Sequence, residues 1–233
     1  NALTNKTKGL ITATIDSTSI SDLVTLDAAL SGGSGNHAYT CTVNTLDVNP
    51  GDLITLQNKT TANVVASAVT IIRGSVKNII TLYTNNFSTG GTVTGLGNET
   101  IVISDISDSS VTAANLNTIN GYTNIDIDTS IVTRITGTAA QLATTYGGGI
   151  NDLGNETIVL TDTELAAATL TPTVNNYTNV AINANNVTTL TGTNAEILAA
   201  YTADNTNGTV IFTDTSVKLT VDADTSITVT EAN

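Results

Sequence analysis

Leu96-Gly-Asn-Glu-Thr-Ile-Val102 recurs unchanged as Leu153-Gly-Asn-Glu-Thr-Ile-Val159. Each copy runs on through a Tyr-Thr-Asn element, at Tyr122 and at Tyr177. Each then reaches a third shared block: Val132-Thr-Arg-Ile-Thr-Gly-Thr-Ala-Ala-Gln-Leu-Ala-Thr-Thr-Tyr146 matches Val187-Thr-Thr-Leu-Thr-Gly-Thr-Asn-Ala-Glu-Ile-Leu-Ala-Ala-Tyr201. The offset between copies is slightly shorter at the later two blocks than at the first, a difference that loops absorb. Upstream, Val69-Thr-Ile-Ile-Arg-Gly-Ser-Val-Lys-Asn-Ile-Ile-Thr-Leu-Tyr83 keeps the Val-Thr, the Gly, the hydroxyl after it and the closing Tyr. Self-similarity of this kind marks a repeat architecture.

The repeat divides further. Thr112-Ala-Ala-Asn-Leu116 resembles Thr138-Ala-Ala-Gln-Leu142 within the same copy. A β-rich run precedes each: Thr100-Ile-Val-Ile-Ser104 and Ser130-Ile-Val-Thr-Arg-Ile-Thr136. Thr138-x-x-Gln141 and Thr193-x-x-Glu196 read as capping boxes, in which the hydroxyl accepts from a free N–H of the first turn and the longer side chain reaches back to the cap. Thr112-x-x-Asn115 and Ser75-x-x-Asn78 are imperfect versions. The elementary unit is one strand, one tight turn and one short capped helix, about 25 to 30 residues in all, within the solenoid range. It cannot bury its apolar face alone, so copies must stack.

The predicted fold is therefore a β-rich α/β solenoid of stacked strand–turn–short-helix repeats with a mainly parallel sheet. A right-handed β-helix with short helical corners is the alternative. The Leu-x-x-Leu-x-Leu signature of leucine-rich repeats is missing. Residues 1–95 form a divergent N-terminal repeat region with an insertion, roughly Asp47 to Asn63, carrying an Asn49-Pro-Gly-Asp52 turn. Residues 96–152 and 153–208 are the two clear repeats. Residues 209–233 read as strands only (Thr209–Thr213, Val217–Val221 and Ser226–Thr230), a terminal cap or an assembly strand.

Composition agrees. Of 233 residues, 40% are hydrophobic but only 3% aromatic, with no Trp or Met, so the core must be aliphatic and thin. There are 48 Thr and 27 Asn, which favour strands and turns respectively. The net charge is −13 with seven Lys and Arg. That leaves no basic patch for nucleic acid or an anionic membrane. It suits solubility in salty water or calcium binding. No apolar run reaches the ~18 residues of a membrane span. Cys41 is alone, so no internal disulfide forms. The chain opens at Asn1 with no signal-like segment and reads as a processed product or an excised fragment.

Gly137-Thr-Ala-Ala-Gln-Leu-Ala-Thr-Thr-Tyr146 and Asp108-Ser-Ser-Val-Thr-Ala-Ala-Asn-Leu-Asn-Thr-Ile119 resemble repeat segments of very large cell-surface proteins of marine cyanobacteria and of tail-fibre proteins of their phages. The resemblance covers about residues 95–205. Asn115 and Gln141 stand where those repeats often have Asp. The resemblance implies a secreted, cell-surface or virion-fibre protein and brings no catalytic residues.

His37 is the only histidine. It lies in a Gly-Ser loop, Ser31–His37, with nothing to mark a catalytic triad. Paired carboxylates are the sharper candidates. Asp126/Asp128 and Asp222/Asp224 are spaced by two, so on a strand both side chains share a face. Asp105/Asp108 is less regular. Such pairs suit calcium, which takes six to eight oxygens, or glycoside cleavage, which uses two carboxylates. Sugar cleavage usually brings aromatic platforms and basic residues, both scarce here, and no Asp-x-Asp-x-Asp-Gly loop is present. Asp126 and Asp128 become Ala181 and Asn183 in the next copy. Calcium at Asp126, Asp128, Asp222 and Asp224 is thus the metal reading to test. Eight Asn-x-Ser/Thr sequons occur, close to the chance number for this composition. Alternating hydroxyls such as Ser226-Ile-Thr-Val-Thr230 shift between copies and read as ordinary strand surface.

The expected function is a non-enzymatic, extracellular structural repeat protein of a surface layer, filament, adhesin spacer or phage fibre, self-associating into a larger assembly. A glycan- or surface-binding module on the same scaffold is the second reading, and a polysaccharide-degrading β-helix enzyme the third.

Overall fold

The computed structural model describes residues 9–17, 19–26, 37–84, 91–105, 111–203, 210–212 and 217–222. The chain divides into two compact units, residues 1–110 with 118–128, and residues 111–117 with 129–233. Along the chain come β1 (Thr12–Ser17), α1 (Ile20–Leu23), β2 (Ala38–Val43), β3 (Asp47–Val48), α2 (Pro50–Gln57), β4 (Val64–Val65), β5 (Ile71–Ser75), α3 (Val76–Tyr83), β6 (Val93–Thr94), β7 (Thr100–Asp105), α4 (Ala113–Asn120) and β8 (Ile127–Asp128). There follow β9 (Arg134–Gly137), α5 (Ala139–Thr145), β10 (Ile150–Asn151), β11 (Thr157–Leu160), β12 (Glu164–Ala166), an irregular helical stretch over Thr169–Asn176, β13 (Ile182–Asn183), β14 (Thr189–Gly192), α6 (Asn194–Thr202), β15 (Val210–Ile211) and β16 (Lys218–Val221).

In the first unit β1-β2-β4-β6 form one sheet, and β3, β5, β7 and β8 follow one another in a second. In the second unit the orders are β15-β13-β11-β9 and β12-β14-β16. Pairing within these sheets is parallel. Each strand takes its partner from one pass further along the chain, as Cys41 beside Val64 and Ile72 beside Ile101. That separation leaves room for one crossover per strand, as parallel pairing requires. The protein is thus an α/β protein of several parallel sheets of short strands.

Register places like on like. Ile72, Ile101 and Ile127 stand side by side, all fully buried. Ile135, Ile158 and Ile182 do the same in the second unit. A one-residue slip would turn each row outward, so burial on one face fixes the register. The helices bury residues three apart: the apolar Val76, Ile79 and Leu82 of α3, and Ala139, Leu142 and the hydroxyl-bearing Thr145 of α5, the spacing of a single helical face.

Both expected capping boxes form. Thr138 Oγ1 accepts from the Gln141 N–H at 3.2 Å while Gln141 Oε1 accepts from the Thr138 N–H at 3.0 Å. Thr193 and Glu196 repeat this at 3.3 and 2.8 Å. Thr112 and Ser75 cap α4 and α3 through the N–H of Asn115 and Asn78 at 3.1 and 3.3 Å. Replacing Thr138 with alanine is expected to cost about 1 kcal/mol, read from the urea midpoint. An unchanged midpoint would mean that the cap contributes nothing to stability.

Two segments differ from the sequence reading. Residues 47–63 carry no inserted turn: Asn49 Oδ1 accepts from the Gly51 N–H at 2.8 Å, Pro50 takes the first helical position, and α2 follows β3 as helices follow strands elsewhere. Proline suits that position because the N–H it lacks would have no partner there. The β-rich run Ser130–Thr136 begins as a turn, with the Val132 N–H bonded to Thr129 O at 2.8 Å, so the strand starts at Arg134. The helical stretch after β12 is broken where Thr171, extended at φ −132° and ψ 119°, precedes Pro172, the conformation proline imposes on its predecessor. The strand expected over Ser226–Thr230 lies outside the described residues.

Candidate functional site

The three recurring blocks are three parts of one hydrogen-bonded corner, built once in each unit. Glu99 and Glu156 are each 1% exposed. In the second unit the Gly154 N–H donates to both carboxylate oxygens of Glu156 at 3.0 Å, and the Asn155 N–H to Oε2 at 3.1 Å. The Tyr146 hydroxyl donates to Oε1. In the first unit the Gly97 N–H donates to Glu99 Oε2 at 2.9 Å, the Asn98 N–H to Oε1 at 3.2 Å and the Tyr83 hydroxyl to Oε2 at 2.6 Å. Two successive backbone N–H groups converging on an anion form a concave cradle. Its turn needs a left-handed residue, supplied by Gly97 at φ +131° and Gly154 at φ +119°.

The Tyr-Thr-Asn block closes the corner. Thr123 Oγ1 donates to the Glu99 carbonyl at 2.6 Å and accepts from the Ile125 N–H at 3.1 Å. Thr178 Oγ1 donates to the Glu156 carbonyl at 2.7 Å and accepts from the Val180 N–H at 3.1 Å. The Asn124 N–H donates to Gly97 O at 3.2 Å and the Asn179 N–H to Gly154 O at 2.8 Å. Tyr122 stacks on Tyr83 with ring centres 4.8 Å apart, and Tyr177 on Tyr146 at 4.6 Å. Each buried carboxylate therefore spends its acceptor capacity on the protein's own donors. The charge-assisted carboxylate bonds and the threonine bonds together tie the end of a helix to the entries of two neighbouring strands. Thr60 makes a related tie earlier in the first unit, donating to Tyr39 O at 2.7 Å and accepting from the Tyr39 N–H at 2.8 Å.

The Tyr83 and Tyr146 hydroxyls titrate far above their ordinary value of 10.0. Burial is the main cause, followed by the hydrogen bond to Glu99 or Glu156 and that carboxylate's negative charge. A raised folded-state pKa gives stability that is whole below the unfolded value and is lost as pH rises past it. Unfolded tyrosines ionise there, and these two cannot while folded. Stability should therefore fall above pH 10 by at most about 1.4 kcal/mol per tyrosine per pH unit. Tyrosinate absorbance from these two residues should then appear only in one cooperative step with unfolding during an alkaline titration. Smooth ionisation of all six tyrosines while the fold persists would refute this.

The sequence candidates lie elsewhere. Asp126, exposed just before β8, and Asp128, half-buried within it, flank the buried Ile127. Asp222 is exposed just past β16, with its N–H on Gly192 O at 3.1 Å. Asp105 ends β7. Asp224, Asp108 and the loop Ser31–Asn36 lie outside the described residues. Among the described residues no three or more His, Cys, Asp or Glu side chains are grouped to hold a metal. His37 is fully buried at the entry to β2, where Nδ1 accepts from the Ile11 N–H at 3.1 Å and the ring lies 5.4 Å from that of Tyr39. Cys41 is fully buried, and burial pushes its thiol up to about 11.

Glu99, Glu156, Tyr83 and Tyr146 all lie within the sequence repeats, but spacing along the chain does not join them into one site. The signal was present: in a chain with five Glu, two occupy the same place in an unchanged block. No family model matches this chain, and no curated protein or solved structure matches it either.

Proposed function

We propose that this chain is an extracellular structural repeat protein. Its strand–turn–helix passes act as coils of a solenoid that extends, spaces or assembles within a surface layer, filament, adhesin or phage fibre. The observation that carries this reading is the corner built twice from the same sequence blocks. A buried carboxylate satisfied by the protein's own amides and a tyrosine, under a stacked ring, is suited to holding passes together and leaves little to offer a substrate. Parallel partners taken one pass apart, as Cys41 with Val64 and Ile72 with Ile101, support the solenoid reading, because a solenoid repeats one pass at a near-constant length. The acidic surface supports an extracellular setting. Calcium at Asp126 with Asp128, and at Asp222 with Asp224, belongs to the same proposal as a regulator of assembly.

Particle size by light scattering, with shape by negative-stain imaging, tests it in calcium and then in chelator. Filaments or sheets support the assembling subunit, and their loss in chelator supports calcium. A chain that stays monomeric and is indifferent to calcium overturns assembly and calcium together, leaving a passive spacer. Saturable binding of a glycan by that monomer would favour the binding-module reading.

A further inference from the structure

We infer that one copy of the chain adds to another by parallel strand pairing, the β1 edge of one docking on the β16 edge of the next, with Ile15 beside Leu219. This rests on the reading of the chain as an assembling repeat protein and names the surfaces that assemble.

Among the described residues both strands are sheet edges: β1 has only β2 beside it, and β16 only β14. The phase of each ladder is known. The Ala38 N–H donates to Ile11 O at 3.0 Å. In a parallel ladder alternate residues bond to one side, so Ala13 and Ile15 face β2 while Thr12, Thr14 and Asp16 turn their backbone groups away. The Lys218 N–H donates to Thr188 O at 2.8 Å and the Asp222 N–H to Gly192 O at 3.1 Å. The groups of Leu219 and Val221 therefore point out of the sheet. No described residue bonds to these outward groups.

Side chains select the occupant. Leu165, Leu190 and Leu219 form one inward row, with exposures of 7%, 0% and 48%. The row is covered until its last member. In the other unit Ile15 leads an inward row through Cys41, Val64 and Val93, the last three at 0%, 0% and 5%. Setting Ile15 beside Leu219 joins the two rows into one apolar ladder. The phases allow it, because Leu219 then bonds to Thr14 and Asp16, whose groups face outward. A shift of one residue would aim it at groups already bonded to β2. The same register sets Asp16 beside Thr220, diagonal to Lys218, opposite charges on one face. A second copy of this chain is thus the partner whose edge fits.

Thr14→Pro and Leu219→Pro each remove an outward N–H without removing a bond inside the sheet, as edge strands tolerate. The unsubstituted chain is expected to assemble with concentration in sedimentation velocity, and each variant to stay monomeric. A one-to-one mixture of the variants should stop at dimers, because one good β16 edge meets one good β1 edge. Independently, Asp16→Cys chains mixed with Thr220→Cys chains should form an intermolecular disulfide that neither forms alone. Cys41, buried with its thiol titrating at about 11, does not compete. A wild-type chain that is monomeric throughout overturns the inference and leaves the spacer reading standing. Assembly unaffected by either proline, or disulfides formed within one cysteine variant, overturns strand addition while leaving assembly itself intact.

Discussion

Replacing Glu156 with alanine is expected to destabilise the chain by about 3–5 kcal/mol. The change removes an acceptor that the Gly154 N–H, the Asn155 N–H and the Tyr146 hydroxyl all use, at a position 1% exposed. A donor left buried without a partner costs about 1–3 kcal/mol, and three are stranded at once. Glutamine does not rescue the site, because its amide can point only one oxygen at the cradle and must aim a donor at another. Tyr146→Phe is the mild control at about 1–2 kcal/mol, since it keeps the stacked ring and leaves the carboxylate its two backbone donors. Urea unfolding read by circular dichroism measures all three. A Glu156→Ala loss below about 1 kcal/mol would show that water replaces the carboxylate freely and that the corner is no clamp.

Ile101→Ala should cost about 3–4 kcal/mol. Ile101 is fully buried in β7, with Ile72 on one side and Ile127 on the other. Truncation removes three carbons' worth of burial and opens a gap that strands fixed by their hydrogen bonds close poorly. Ile101→Val, which deletes one methylene, should cost about 1 kcal/mol. A loss for alanine no larger than for valine would mean that the sheets collapse around the gap and that the ladder is loosely packed.

Much of this was legible in the chain. Thr138-x-x-Gln141 and Thr193-x-x-Glu196 predict caps because capping depends on side chains three residues apart, a local relation. Thr100-Ile-Val-Ile-Ser104 predicts a strand for the same reason, and β7 spans it. The repeat announced parallel neighbours. What stayed hidden depends on partners far apart in sequence. The sequence marks Glu156 as repeated, but its burial follows from the hydroxyl of Tyr146, well upstream, and from a glycine cradle that exists only once the turn has folded. Within residues 47–63 the Asn-Pro-Gly-Asp run serves a turn or a helix start equally, and β3, pairing with β5, decides between them. His37, read from its Gly-Ser neighbours as lying in a loop, is buried because its ring packs against Tyr39 and accepts the N–H of Ile11.

The stacked tyrosines give the protein a built-in optical signature. With no Trp and only two Phe in the chain, tyrosine dominates the near-ultraviolet emission. Tyr83 and Tyr146 are hydrogen-bonded to carboxylates, an arrangement that quenches their fluorescence. Unfolding should therefore brighten the protein. Tyr83→Phe and Tyr146→Phe would each silence one reporter, so comparing the two variants assigns the brightening to one unit or the other without any added label.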